Sequence, residues 1–152
     1  MKVRRTTMIG AVSAIGLLAG ACGDSRPSAE AFAERVTSIC AASQQRHDEA
    51  ARGFDFEAFN PDTSNLATIV PVIEKNVAIG REANRELKKV RGPKAEEAKL
   101  QQYVTVAAQM HALGEKEAEA ARRGARVAFK ALIEEEDALV AKLPKEGAFE
   151  GF

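Results

Sequence analysis

Two cysteines, two histidines and the carboxylates that could reach them are the residues of this chain best suited to chemistry. Cys40 has no second cysteine three residues away, so neither thiol–disulfide exchange nor c-type haem attachment is open to it. On an apolar helix face it reads as a small buried hydrophobe rather than a nucleophile. A di-iron bundle needs Glu-x-x-His on two helices, but Gln44 stands three before His47 and Ala108 three before His111. The chain has no Gly-x-Ser-x-Gly, no P-loop and no His-Glu-x-x-His. The acidic run Glu134-Glu135-Glu136-Asp137 points around a helix rather than around a loop, which suits a solvated face better than a shared calcium ion. These patterns predict no catalytic set, no metal site and no cofactor, and they favour a non-enzymatic chain.

A polar layer is the more specific expectation. His47 and His111 both fall inside apolar stripes, about 20° from Val36 and about 40° from Ala107 at 100° per residue. At 1.5 Å per residue, the heights along a four-helix bundle are about 28 Å for His47, about 26 Å for His111, about 24 Å for Glu136 and about 21 Å for Asn76. A buried imidazole needs a partner and a buried carboxylate needs one more. The spacing therefore predicts that Glu136 and at least one histidine share a layer with Asn76 in the core. Its simplest role is a satisfied hydrogen-bond network that sets helix register; the alternative is a carrier site for a small ligand or a metal ion. Zinc or copper would require the two histidines and Glu136 to converge within about 4 Å. Cys40, seven residues from His47 and about 10.5 Å along the same helix, would not join them.

The elements that must position these residues are all helices. Ser28 is an N-cap for helix 1, which runs to about Arg52 with Ala29, Phe32, Val36, Ile39, Cys40, Ser43, His47 and Ala50 on one stripe, and Gly53 ends it. Helix 2 runs from about Thr63 or Asn65 to Val90 on the stripe Leu66, Ile69, Val70, Ile73, Val77, Gly80 and Leu87. Pro71 either kinks it or sits in the first turn of a helix that begins near Thr68; the backward continuation of the stripe favours the kink. Helix 3 starts at Pro93 or Lys94 and carries Leu100, Tyr103, Val104, Ala107, Met110, His111, Gly114, Ala118 and Ala121 inward. Gly124 suits a left-handed cap, and helix 4 follows from about Ala125 to Lys142 before Pro144. Short connections between four amphipathic helices predict an all-α, antiparallel up-down-up-down bundle over residues 28–143, with a tail at 144–152. Phe54, Phe56 and Phe59 crowd one loop, as a lid over the bundle end or as a docking edge for a protein partner or an apolar ligand.

Composition excludes other classes. The chain is 152 residues long, 29% charged and 45% hydrophobic, which is globular and suits one domain. Lys+Arg and Asp+Glu are each 22, so no basic excess points to nucleic acid. Lys2, Arg4 and Arg5 precede the apolar run Met8 to Ala21, which is shorter than the roughly 20 residues a bilayer span needs. This is the pattern of a secretory signal over residues 1–21. The twin arginine lacks the context of a twin-arginine signal, so general secretion is preferred. Without residues 1–21 the chain has 19 basic and 22 acidic groups, a net charge of −3.

The run closes on Leu18-Ala19-Gly20-Ala21-Cys22, which resembles the lipobox of bacterial lipoproteins. Ala19 stands where that pattern usually has Leu, and ordinary cleavage at Ala19-x-Ala21 uses the same residues. The resemblance implies diacylation of the Cys22 thiol by palmitate-type chains, cleavage before it, and an extracytoplasmic domain lipid-anchored to the membrane, with a partner protein possible in the envelope. Two or three acyl chains suffice for stable anchoring where one does not. The tether, residues 22–27, spans under roughly 20 Å. The whole chain resembles small, uncharacterised helical lipoproteins of the actinobacterial-type cell envelope, on the stretch Phe32 to Cys40, the segment Leu87 to Pro93 and the Ala-rich third helix ending at Gly124. In such proteins the helix-1 cysteine often pairs with one near the C-terminus; here the tail KEGAFEGF holds no cysteine.

If acyl chains on Cys22 are the anchor, Cys22→Ala shifts the protein from the membrane pellet to the soluble fraction on ultracentrifugation. An alanine variant that pellets like the parent would mean that another element holds it.

Overall fold

The computed structural model describes residues 26–143; the expected signal segment 1–21, Cys22 and the tail 144–152 lie outside the described residues. The chain is all-helical there, with four α-helices: α1 (Ala29–Ala51), α2 (Val70–Leu87), α3 (Lys94–Arg122) and α4 (Arg126–Val140). None of these is long and apolar enough to cross a membrane.

Local chemistry sets the helix ends. The Ser28 hydroxyl accepts from the Ala31 N–H at 3.1 Å and caps α1. Gly53 follows its end with φ +86°. Between α3 and α4, Gly124 has φ +65°. The Ala125 N–H reaches back to the Ala120 carbonyl at 2.9 Å and the Gly124 N–H to Ala121 at 3.1 Å, the paired bonds of a Schellman turn. That turn separates two helices that could otherwise have run on as one.

The structure corrects the kinked helix 2. A 3₁₀ turn, Leu66–Thr68, precedes α2, and Pro71 lies in the first turn of α2. At that position the missing N–H would have had no partner in any case. The apolar stripe continues backward because the 3₁₀ turn drives Leu66 into the core without being part of the helix. The Asn65 side chain holds that turn by accepting from the Ala67 N–H at 3.1 Å.

Between α1 and α2, with the turn after α2, and between α2 and α3, contacts run in opposite chain order. Phe32 meets Gly92 while His47 meets Asn76, and Asn84 meets Val104 while Arg122 meets Glu74. α1 packs on α2, α2 on α3 and α3 on α4; the pair α1–α4 has no comparable contact. α2 and α3 approach closely, so that a Cβ on Gly80 would strike the His111 ring and one on Gly114 would lie 2.6 Å from Val77 Cγ2. Arg26, expected in the tether, instead clasps the α2–α3 turn, donating to the Gly92 carbonyl at 3.2 Å and to Glu97 at 2.9 Å. Glu97 also accepts from the Gly92 N–H at 3.0 Å, and this bond foremost holds its carboxyl below the usual range.

The buried apolar residues form separate clusters. Phe32, Val36, Cys40, Leu87, Val90, Leu100 and Val104 fill one end of the molecule. Leu66, Val70, Ala118, Ala120, Ala121 and Phe129 fill the other. Val106, Leu113 and Leu139 join α3 to α4. The fully buried residues of α1 stop at Cys40; from Ser43 onward its inner face is half-buried or open.

Gly124→Ala places a Cβ in the left-handed region, at about 1–2 kcal/mol for a non-glycine residue. Urea unfolding followed by circular dichroism should show a loss of that size with an unchanged slope.

Candidate functional site

The unpacked α1–α4 side leaves a cavity of about 450 Å³ with α2 and α3 as its floor. His47 comes from α1, Asn76 from α2, His111 from α3 and Glu136 from α4, and all four line this cavity. His47 Nδ1 and Asn76 Oδ1 are 3.0 Å apart, so the amide oxygen accepts from a protonated Nδ1. His111 stacks over Gly80, where the absent side chain makes room for it. No hydrogen bond joins Glu136 to either histidine, and no group of three His, Cys, Asp or Glu among the described residues could hold a metal ion. The layer thus appears as four residues around a shared space, with one direct bond between them. Of the acidic run, Glu134, Glu135 and Asp137 are exposed and Glu136 is half-buried at the cavity.

Two residues that the stripe analysis passed over are the most deeply buried polar groups. Glu117 is 6% exposed and Asn84 is 6% exposed, and both line the cavity. Asn84 donates from Nδ2 to the Val104 carbonyl at 3.0 Å, which fixes the amide orientation and leaves Oδ1 without a partner. Glu117 Oε1 is likewise buried without a partner. The signal was available: Asn84 lies three before Leu87 and four after Gly80, and Glu117 lies three after Gly114, so both sit on their inward stripes.

The electrostatics follow from burial. Desolvation, with Glu136 adding to it, pushes the Glu117 carboxyl up to about 7. Burial and then Asp137 raise that of Glu136. Burial, followed by Arg81 and His47, lowers the pKa of His111 and so favours its neutral form. The Cys40 thiol is raised by burial, which keeps it protonated and suits a packing role. Burial and then Cys40 raise the Tyr103 phenol.

The cavity lining mixes polar side chains, among them His47, Asn76, Asn84, His111, Glu117 and Glu136, with apolar ones such as Ile73, Val77, Ala83, Leu87 and Met110. From Tyr103 to Glu117 is fourteen residues of α3, about 21 Å along its axis. Phe54, Phe56 and Phe59 are not part of this site. They pack on each other at centroid distances of 4.8 and 5.4 Å, with Phe59 against the Leu66–Phe129 cluster. Compared with models of protein families, with characterised proteins and with solved structures, the chain finds no match.

Burying Glu117 makes stability pH-dependent. Its ordinary value is near 4.3 and its folded value about 7. Between them the folded chain holds a proton that the unfolded chain has released, so raising the pH favours unfolding. The full shift corresponds to about 3–4 kcal/mol, and the open side of the cavity screens it to roughly 2 kcal/mol. Glu136 acts in the same sense and His111, with its lowered pKa, in the opposite one. Glu117→Gln should therefore recover most of the stability lost between pH 5 and pH 8 in urea titrations; an unchanged pH profile would place the Glu117 carboxyl in water.

Proposed function

We propose that this chain is a membrane-anchored, extracytoplasmic lipoprotein that acts as a non-enzymatic binding module of the cell envelope, and that it carries a small ligand in the cavity among its helices. The cavity carries the reading. A bundle serving only as a spacer or a scaffold can seal its core, whereas this one keeps a space of about 450 Å³, within the range of small-molecule sites. Its walls are mainly apolar, with a few polar side chains converging from four helices. That is the composition that gives a ligand both affinity and orientation. The carrier reading without a metal is preferred, since the described residues do not bring three ligating side chains together. The non-enzymatic reading is supported by the one hydrogen bond to a histidine in the site, which ties His47 to an amide rather than to a nucleophile.

Anchoring rests on the basic start, the short apolar run and Cys22. A protein partner in the envelope is the second reading; Phe56 favours it, standing 54% exposed against Phe54.

N-phenyl-1-naphthylamine, a neutral fluorophore that brightens in apolar surroundings, tests the cavity. Its emission should rise on titration with the protein, and Ala107→Phe, which places a ring inside the cavity, should weaken binding by about tenfold or more with the helical circular dichroism unchanged. Equal binding by parent and variant would overturn the reading.

A further inference from the structure

The unpartnered buried side-chain atoms among the described residues share a chemical sense. Glu117 Oε1 and Asn84 Oδ1 are both acceptors, and both belong to residues that line the cavity. A native interior pairs such atoms or hydrates them. Leaving one buried and unmade costs about 1–3 kcal/mol, and more for a charged group. The cavity also has a charge imbalance. Glu117 and Glu136 both face it, and no Lys or Arg is among the described residues that line it. Arginines on α2 and α3 are engaged in ion pairs: Arg81 with Glu115, and Arg122 with Glu74 and Glu119.

We infer that the cavity takes a small organic cation, a protonated amine on an apolar body, with its N–H groups on Glu117 and Glu136 and its body against Val77, Ala107 and Met110. This deepens the carrier reading and rests on it. An ammonium brings donors only, which is what Glu117 Oε1 lacks; Asn84 Oδ1, held beside Val104, lies outside its reach. Its charge meets two carboxylates, with which it makes charge-assisted hydrogen bonds. The apolar side chains of the lining then receive the hydrocarbon.

The competing ligands fit less well. An anion would meet two carboxylates with no cationic side chain to offset them. A wholly apolar molecule would leave Glu117 Oε1 buried and unpaired. A bare divalent cation would find two carboxylates but no third close ligand among the described residues. An ammonium beside Glu117 would draw its raised carboxyl pKa back toward the ordinary range.

Competition against N-phenyl-1-naphthylamine separates these cases, with n-decylammonium, n-decanol and n-decanoate as ligands of one chain length, each below its micelle concentration. The ammonium should displace the fluorophore at about tenfold lower concentration than the alcohol, and the carboxylate should be the weakest. In the double variant Glu117→Gln, Glu136→Gln the ratio of ammonium to alcohol should fall to about 1. Equal displacement by ammonium and alcohol in the parent, or a ratio that survives the double variant, would overturn the inference and leave the carrier reading standing. If the parent does not bind the fluorophore and none of the three ligands raises its melting temperature, both fall.

Discussion

A Cβ on Gly80 would run into the His111 imidazole, and one on Gly114 into Val77. Two inward-facing glycines thus let α2 and α3 approach closely, and the rest of the molecule is laid against that pair. α1 leans on α2 and α4 on α3, so neither outer helix has to meet the other. The space between them is a consequence of the floor being narrow and the walls being held separately. His111 occupies the room that Gly80 leaves, so one packing event both joins the helices and places an imidazole at the cavity. Larger side chains at the glycine positions would part the helices or displace His111 from the site.

Against this floor the polar side chains face a mixed environment. Carboxylates are rarely fully buried unless paired, yet Glu117 lies almost wholly inside with one oxygen unmatched. The cost is tolerable because the neutral form is accessible near physiological pH. Asn84 adopts a different compromise: its amide nitrogen serves the Val104 carbonyl, stitching α2 to α3, and its oxygen goes without. Such sites stand out in a small domain whose net stability is typically only several kcal/mol. They gather where the apolar clusters give way to the cavity, which is where binding energy could offset them.

How far the sequence disclosed this varies with the kind of signal. Ser28, Gly53 and Gly124 could be read directly, because a hydroxyl before a helix and a glycine after one act through the backbone next to them. Pro71 was ambiguous, since its ring fits a first turn as well as a kink, and the tertiary placement of Leu66 decided between them. The helical stripes put His47, Asn76, His111 and Glu136 at similar heights, because rise and periodicity are nearly constant along a helix. They could not show that only His47 and Asn76 would touch while all four line a common space. Glu117 and Asn84 escaped because a charged or amide side chain on a stripe is normally discounted as exposed. The volume of the gap is set by how α1 and α4 tilt against the floor, and no single chain position records that.

The one-sided seating of α1 has a consequence for how the native chain opens. Beyond Cys40 this helix buries no residue fully, and His47–Asn76 and the exposed Arg46–Glu82 pair tie it to α2. Lifting its second half would break one imidazole–amide bond and a solvent-exposed ion pair, which is weak in water, and would uncover little apolar surface. The Phe32–Val36–Cys40 segment, wedged against Leu87, Leu100 and Val104, would stay seated. Partial openings of this kind lie well below global unfolding in free energy. Amide protons from Ser43 to Ala51 should therefore exchange with solvent by a local route, ahead of those in the middle of α2 and α3, and that route widens the side of the cavity without melting its floor.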